Sequence, residues 1–397
     1  MQSSSERLPE ALPVLFTKGT SYEVGFNIGK CFSERIRTYH ERQGKFLSSM
    51  VQFYDSDEGR KHLQEYIDAS ENRFPNYMEE IKGTADGCGI AYEQILVSNF
   101  WRELYAHPSN SGYGKAAILE EPMGCTDILL NNDKAKVIGH NEDGELTMND
   151  QDYIVCAEID EYKTKDGRVF PAEKFVAHTY PGVLPGGCFA FNSHGLGYSV
   201  NTCWSITIPR NKIGEAIHMR HFLTARDTGD LLRILRDEDA GSTTGLGINA
   251  GFLHEQDLHS FEIAPYLDKP GNKVSMVTIS NDNRSTSIDG PFYCRTNHPL
   301  HLPTEPMFSS NEGTVLRYER VRQISTRETR DDVLRILGDQ QHPQFPVYRR
   351  GQTDKDTSNG TACTSLIDFN RKTLSVYKNN PRDAKAPVVN LAMTVFD

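Results

Sequence analysis

One junction constrains this chain more than any other: up to Gly124 the sequence reads as helical, and from Cys125 it opens a β-hairpin. The hairpin is PMGCTDILL (122–130) followed by IGHNEDGE (138–145). A cysteine at the start of a strand is ordinarily a buried core residue, because Cys is among the most buried residue types. Its position at a sharp change of texture opens a second reading. A free thiol has a pKa of about 8.5 and needs a base within reach to act as a nucleophile. Were the chain to break before Cys125, the new α-amino group, with a pKa of about 7.7 to 8.0, would lie on the same residue and take the thiol proton. Glycine at 124 suits that break, since a residue without Cβ lets the thiol approach its carbonyl. The Gly124–Cys125 bond is therefore a candidate self-cleavage site.

The rest of the composition narrows the class. At 397 residues the length suggests two to three domains and a large core. The eight cysteines form no C-x-x-C pair, which points to reduced thiols in an intracellular, cytoplasmic enzyme rather than a disulfide scaffold or zinc ribbon. The opening MQSSSERLPEALP lacks the apolar core of a secretory signal, no apolar run is long enough to span a bilayer, and the ending TVFD is no peroxisomal signal. A net charge of −11 without a basic cluster argues against nucleic acid or an anionic membrane as partner and fits a small cationic substrate. His218 and His221 share a helical face but have no third metal ligand nearby. GLGINAG (245–251) precedes a strand rather than a helix and so makes a poor dinucleotide site. No cofactor and no metal is expected.

From Thr20, which makes a capping-box pattern with Glu23, helical periodicity carries on towards Phe53. Helices are expected over 59–74, 75–82 and 92–105, punctuated by Pro75 and by GTADGCG, and 107–122 reads as an exposed linker. After Cys125, strands are expected at 126–130, 136–140, 153–162, 168–178, 188–191, 196–204, 246–253, 258–264, 274–279, 363–368 and 373–377. Helices are expected at 214–225, 228–239, 311–325 and 330–337. Strand runs separated by helix pairs suit two mostly antiparallel sheets stacked face to face with helices outside, an α+β layered architecture.

The run GCT (124–126), the hairpin and GHNED ending at Asp143 resemble the acyl-CoA:isopenicillin-N acyltransferase family of cysteine N-terminal-nucleophile hydrolases. FNSHGLGYSVNT (191–202), FEIAP (261–265), RTNHPL (295–300) and TLSVYKNNP (373–381) extend the resemblance over most of the chain. Within the family, LPG, NSHGLG, SVNT and the late Asn-Pro are most similar to hydrolases of β-alanyl amines. The resemblance implies a four-layer αββα fold. It implies cleavage into a helical N-terminal segment, 1–124, and a catalytic segment, 125–397, that stay associated, with a homodimer of such heterodimers open. It further implies Cys125 as nucleophile, Asp143 as the carboxylate that holds the new ammonium or orients the thiol, and Asn297 as a side-chain donor to the oxyanion, worth about 3–4 kcal/mol in comparable sites. The bare sequence also allows Asp143 and Asn297 to be turn residues. Where the acyltransferase has Ser-Arg-Gly, this chain has Ser358-Asn359-Gly360, which puts acyl-CoA transfer in doubt. The activity implied is hydrolysis of β-alanyl or similar conjugates of small amines such as N-β-alanyl-dopamine; acyl-CoA-dependent N-acylation is the alternative. Asp127, Glu142 and Glu145 are candidate partners for a substrate ammonium, or else solvated hairpin ends.

Overall fold

A computed structural model describes residues 11–105, 107, 124–146, 150–203, 207–302, 312–351, 359–384 and 386–397. The chain opens with β1 (Val14–Gly19) and continues through α1 (Ser21–Cys31), α2 (Ser33–Arg42), α3 (Gly44–Tyr54), α4 (Asp57–Arg73), α5 (Pro75–Cys88), α6 (Tyr92–Asn99) and α7 (Trp101–Tyr105). Next come β2 (Gly124–Asn131), β3 (Lys136–Glu145), β4 (Tyr153–Ile159), the short pair β5 (Tyr162–Lys163) and β6 (Val169–Phe170), β7 (Glu173–Thr179), β8 (Phe189–Asn192) and β9 (Leu196–Cys203). Helices α8 (Glu215–Phe222) and α9 (Thr228–Arg236) precede β10 (Gly245–Phe252), β11 (Leu258–Pro265), β12 (Asn272–Ile279) and β13 (Phe292–Arg295). The chain closes with α10 (Glu312–Gln323), α11 (Arg330–Leu337), β14 (Asn359–Asp368), β15 (Thr373–Tyr377) and β16 (Val389–Ala392).

The strands form an eight-stranded sheet, β1-β4-β7-β8-β9-β10-β11-β12, and a six-stranded sheet, β13-β2-β3-β14-β15-β16. Apart from the parallel β1–β4 pair, neighbours in the two sheets run antiparallel. Three apolar layers show how they stack. Leu129, Ile138, Ile154, Val176 and Leu374 meet between the sheets. Val24, Ile28, Tyr77 and Ile81 pack on the outer face of the larger sheet, against Val155 and Phe175. Ile128, Leu130 and Val137 face Val333 and Leu337 of α11 on the outer face of the smaller one. Side chains alternate along a strand, and with both faces covered β2 and β14 read as unbroken buried runs. The α+β, four-layer αββα architecture is the one expected. Residues before Gly124 do not stand apart, since β1 joins the larger sheet and α1 shares its core.

The capping box at α1 forms: Thr20 Oγ1 accepts from the Glu23 N–H at 3.3 Å, and Glu23 Oε2 accepts from the Thr20 N–H at 2.8 Å. Four expectations need correction. The helix expected to stop at Lys82 runs on to Cys88, because Gly83 and Gly87 of GTADGCG are contact residues, and the helix ends only at Gly89, which takes a left-handed φ of 71° as its C-cap. A Cβ on Gly83 or Gly87 would collide with the backbone of Tyr22 or Phe26, and one on Gly25 or Gly29 with that of Glu80 or Thr84. Both helices thus carry small residues four apart, so their backbones nearly touch. The helix expected over 92–105 breaks at Phe100 into α6 and α7. Strands β1, β13 and β16 were not expected; each lies at a sheet edge, paired on one side only, where little sequence periodicity is required. The strands expected over 153–162 and 168–178 are each two elements, β4 with β5 and β6 with β7. The linker expected over 107–122 lies outside the described residues except for His107.

Gly83→Ala, which drives a methyl group into the Tyr22 carbonyl, should cost about 1–3 kcal/mol by overpacking. Urea unfolding should show a lower midpoint at unchanged slope, and an unaltered midpoint would mean the α1–α5 crossing is looser than described.

Candidate active site

The β2–β3 register sets the site. Gly124 pairs with Asp143, Cys125 with Glu142 and Asp127 with His140. Alternation sends Cys125, Asp127, His140 and Glu142 to the face that looks at the larger sheet, and Thr126, Asn141 and Asp143 to the opposite face. On the inner face a buried chain of polar contacts forms. Cys125 Sγ points at Glu142 Oε2 at 3.6 Å, Glu142 Oε2 meets His140 Nε2 at 2.9 Å, and His140 Nδ1 meets Asp127 Oδ2 at 2.9 Å. The Tyr180 hydroxyl donates to Glu142 Oε1 at 2.7 Å. Ser199 and Asn201 on β9 donate to Asp127, Asn249 on β10 donates to Asn201, and Ser260 on β11 donates to Asn249. The SVNT and neighbouring polar residues are therefore a ladder that holds Asp127 from the other sheet.

A ring nitrogen facing a carboxylate must carry a proton, and His140 faces one on each side, so it is an imidazolium. Burial alone would lower its pKa, but the Asp127 and Glu142 carboxylates hold it up at about 10. The Cys125 thiol is driven the opposite way. Burial, and then the charges of Glu142, Asp127 and Asp143, raise it well above the usual thiol range, with Arg317 pulling it back. In the intact chain Cys125 is thus a protonated thiol.

The backbone of Cys125 is held from the outer side. Its N–H donates to Asn297 Oδ1 at 2.7 Å, and its carbonyl accepts from Arg317 Nη1 at 2.7 Å. Arg317 also donates to Thr126 Oγ1 at 2.7 Å and to Asn297 Oδ1 at 3.2 Å, and lies 3.5 Å from Asp143 Oδ2. Asp143 accepts from Thr361 Oγ1 at 2.7 Å and has Arg349 at 3.9 Å. A Cβ on Gly124 would come within 2.5 Å of Arg317 Nη2 and 2.8 Å of Asn297 Oδ1, so the glycine lets both side chains approach this closely.

The structure thus gathers Gly124, Cys125, Asp143 and Asn297 in one place. Asp143 lies within β3 rather than just past it. Asn297 departs from its expected part in the intact chain: its Nδ2 donates to the Thr202 carbonyl at 3.2 Å, and its oxygen, not its N–H, faces Cys125. Asp127 and Glu142 are buried members of this polar chain rather than solvated hairpin ends, whereas Glu145 is exposed. Ser358 lies outside the described residues, and Asn359 opens β14 opposite Glu145. Arg317 and His140 had no sequence signal. Arg317 lies in a strongly charged helical run, and one buried turn of such a helix looks like a solvated face. His218 is held by the Ile234 carbonyl at 3.1 Å, and His221 meets the Tyr77 and Thr224 hydroxyls. GLGINAG is itself strand β10. Among the described residues, two buried triples bring ligand atoms close enough for a metal ion, Cys125–His140–Glu142 and Asp152–His178–Cys363. In both, the charges are already paired within the protein, the second through Lys378 Nζ at 2.8 Å from Asp152.

A family model of the acyl-coenzyme A:6-aminopenicillanic acid acyl-transferases matches residues 130–383. The chain belongs to that family. The match takes in Asp143 and Asn297 and begins past Cys125, so the part given to Cys125 rests on the geometry above. A Drosophila melanogaster protein named beta-alanyl-dopamine/carcinine hydrolase is 25% identical over 391 residues, covering 96% of this chain and 97% of that one. Among solved structures, the Caenorhabditis elegans ortholog of N-acylethanolamine-hydrolyzing acid amidase aligns with 66% of this chain and 95% of its own at 10% identity, with a TM-score of 0.35, too distant a likeness to bear on the site. No helix among the described residues is long and apolar enough to cross a membrane.

The raised pKa of His140 makes a stability prediction. A group held above its unfolded value of 6.5 contributes stability that is complete below that pH and is lost as pH rises through about 10. The gap in melting temperature between wild type and His140→Asn should be widest near pH 6 and narrow towards pH 10. A gap that stays constant over that range would show that His140 is not charged.

Proposed function

We propose that this protein is a self-processing cysteine amidohydrolase that removes a β-alanyl or similarly small cationic acyl group from a small amine. In this reading the Gly124–Cys125 bond breaks, the two segments stay together, and the new α-amine takes the proton of the Cys125 thiol. The thiolate attacks the substrate carbonyl, the amine leaves with a proton, and water resolves the acyl-cysteine. Asn297 Oδ1, which takes the Cys125 N–H in the intact chain, would hold the new ammonium together with Asp143. For Asn297 to donate to the oxyanion as well, its bond to the Thr202 carbonyl must be given up.

The observation that carries the substrate reading is the Glu142 carboxylate 3.6 Å from the Cys125 sulfur. A β-alanyl group on that sulfur carries its ammonium three bonds from the acyl carbon, short enough to fold back on a carboxylate beside the thioester. The full-length likeness to a protein named for β-alanyl-dopamine and carcinine supports the same substrate class. The absence of an arginine at 359 weighs less against an acyl-CoA donor than the sequence suggests, because Arg317 supplies a guanidinium at the nucleophile.

Intact-mass measurement of active protein should find chains 1–124 and 125–397. Cys125→Ala should neither cleave nor turn over, and Cys125→Ser should cleave slowly, because a hydroxyl remains a weak nucleophile. One uncut chain in fully active protein would end the self-processing reading.

Substrate class is tested by comparing N-β-alanyl-dopamine with N-propionyl-dopamine, which lacks only the ammonium. Loss of a charge-assisted hydrogen bond of about 2–3 kcal/mol should lower kcat/KM about 10²-fold for the propionyl compound. Equal rates would remove Glu142 as ammonium partner, and faster acylation of dopamine from an acyl-CoA would replace the hydrolase with an acyltransferase.

A further inference from the structure

During turnover the proposed base is the α-amine of Cys125, but in the intact chain that nitrogen is an amide and cannot accept a proton. The first cleavage needs another base. The thiol is buried and held protonated, so a free thiolate does not supply the nucleophile either. Glu142 is the carboxylate in hydrogen-bond contact with Cys125 Sγ, at 3.6 Å, and it sits directly across the strand pair. Neither of its oxygens can swing away. Tyr180 holds Oε1 and His140 holds Oε2, while His140 is fixed by Asp127, and Asp127 by Ser199 and Asn201.

We infer that Glu142 is the general base of the self-cleavage step and that His140, Asp127 and Tyr180 are positioning residues that aim it. The inference rests on the self-processing reading above. Glu142 Oε2 takes the proton from Cys125 Sγ, and the sulfur forms a bond to the Gly124 carbonyl carbon. As the carbon–nitrogen bond breaks, the Glu142 carboxylic acid returns the proton to the departing Cys125 nitrogen. The product is a thioester between Gly124 and the Cys125 sulfur, with a free α-amine. Water then adds to the thioester carbonyl, the carbon–sulfur bond breaks, and Gly124 leaves as a carboxylate, one proton of the water restoring the Cys125 thiol and the other passing to the new α-amine. From that point the amine takes over the proton traffic, and Glu142 is left facing the acyl group. One carboxylate therefore serves as base before cleavage and as ammonium partner after it.

Processing of the full chain, followed by intact mass after cell-free translation, tests this without any substrate. General-base catalysis contributes about 10²–10⁴-fold, so Glu142→Gln, although it lowers the melting temperature by leaving the His140 imidazolium one carboxylate short, should process at least about 10²-fold more slowly than wild type at a temperature where both are folded. Glu142→Asp should stay within about tenfold of wild type, and Tyr180→Phe, which leaves the carboxylate in place, should slow processing about three- to tenfold. The pH profile separates a base from a support. The groups facing Glu142 are Cys125, His140, Tyr180, Cys188 and Cys363, with Asp127 beyond His140, while Asp143 and Arg317 lie on the other face across the cleavage site. Without the carboxylate the reaction must wait for free thiolate, so the Glu142→Gln rate should climb about tenfold per pH unit between pH 6 and 9, while wild type changes little. Glu142→Gln processing within threefold of wild type, or slowed with an unchanged pH profile, overturns the assignment. If Glu142→Gln does not fold, a Glu142→Asp chain slowed as much as Cys125→Ser overturns it as well. A wild-type chain that never cleaves removes the self-processing reading itself and this inference with it.

Discussion

The site depends on one buried imidazolium held between two carboxylates. Asp127 and Glu142 would repel each other and desolvate at a cost of several kcal/mol apiece if His140 did not stand between them with a proton on each nitrogen. The trio still carries one net negative charge inside a buried layer, and the donors of Ser199, Asn201 and Tyr180 spread it. Those donors come from the other sheet and from the end of β7. The same contacts that make the charge tolerable also fix how the two sheets sit against each other, because a one-residue slip of β3 would send His140 and Glu142 to the helix side.

The four residues His140 to Asp143 show how a strand serves two layers at once. His140 and Glu142 face the larger sheet and the thiol. Asn141 and Asp143 face the helices, where Asn141 Nδ2 donates to the Leu337 and Val347 carbonyls at 2.8 and 3.0 Å and caps the end of α11. Asp143 anchors Arg317 of α10, and Arg317 in turn grips the Cys125 carbonyl. Asn141 thus ties the strand to α11 and, by accepting from Thr364 Oγ1 at 2.7 Å, to β14, while Asp143 is linked to the nucleophile's carbonyl through the Arg317 guanidinium.

Much of this could be read from the residues. The β2–β3 hairpin, the Thr20 capping box, the positions of most inner strands and the nearness of Cys125 and Asp143 follow from period-two alternation and turn chemistry, which act over a few residues. What escaped depends on tertiary approach. Gly83 and Gly87 look like helix breakers until α1 lies against them, and glycine's cost in a helix is offset there by the contact it permits. Edge strands β1, β13 and β16 need a partner on one side only and carry weak patterning. Asp127 and Glu142 look like solvated hairpin ends because sequence cannot show that β9 and β10 bring an amide and hydroxyl ladder to meet them.

Arg317 explains why position in the sequence is a weak guide to charge at the nucleophile. The family arginine expected at 359 is replaced by asparagine at the head of β14, opposite the exposed end of β3. A guanidinium nevertheless reaches the Cys125 carbonyl and Asp143, delivered by a helix from the outer layer instead of a strand of the sheet. The geometry that matters is a fixed cation within hydrogen-bond distance of the backbone at the cleavage site, and either layer can provide it. A helix-borne arginine is also packed over Gly124, where a Cβ would collide with it, so this chain ties the glycine before the bond to the cation beside it. Replacing Gly124 would therefore disturb Arg317 and Asn297 together, and with them both ends of the Cys125 peptide unit.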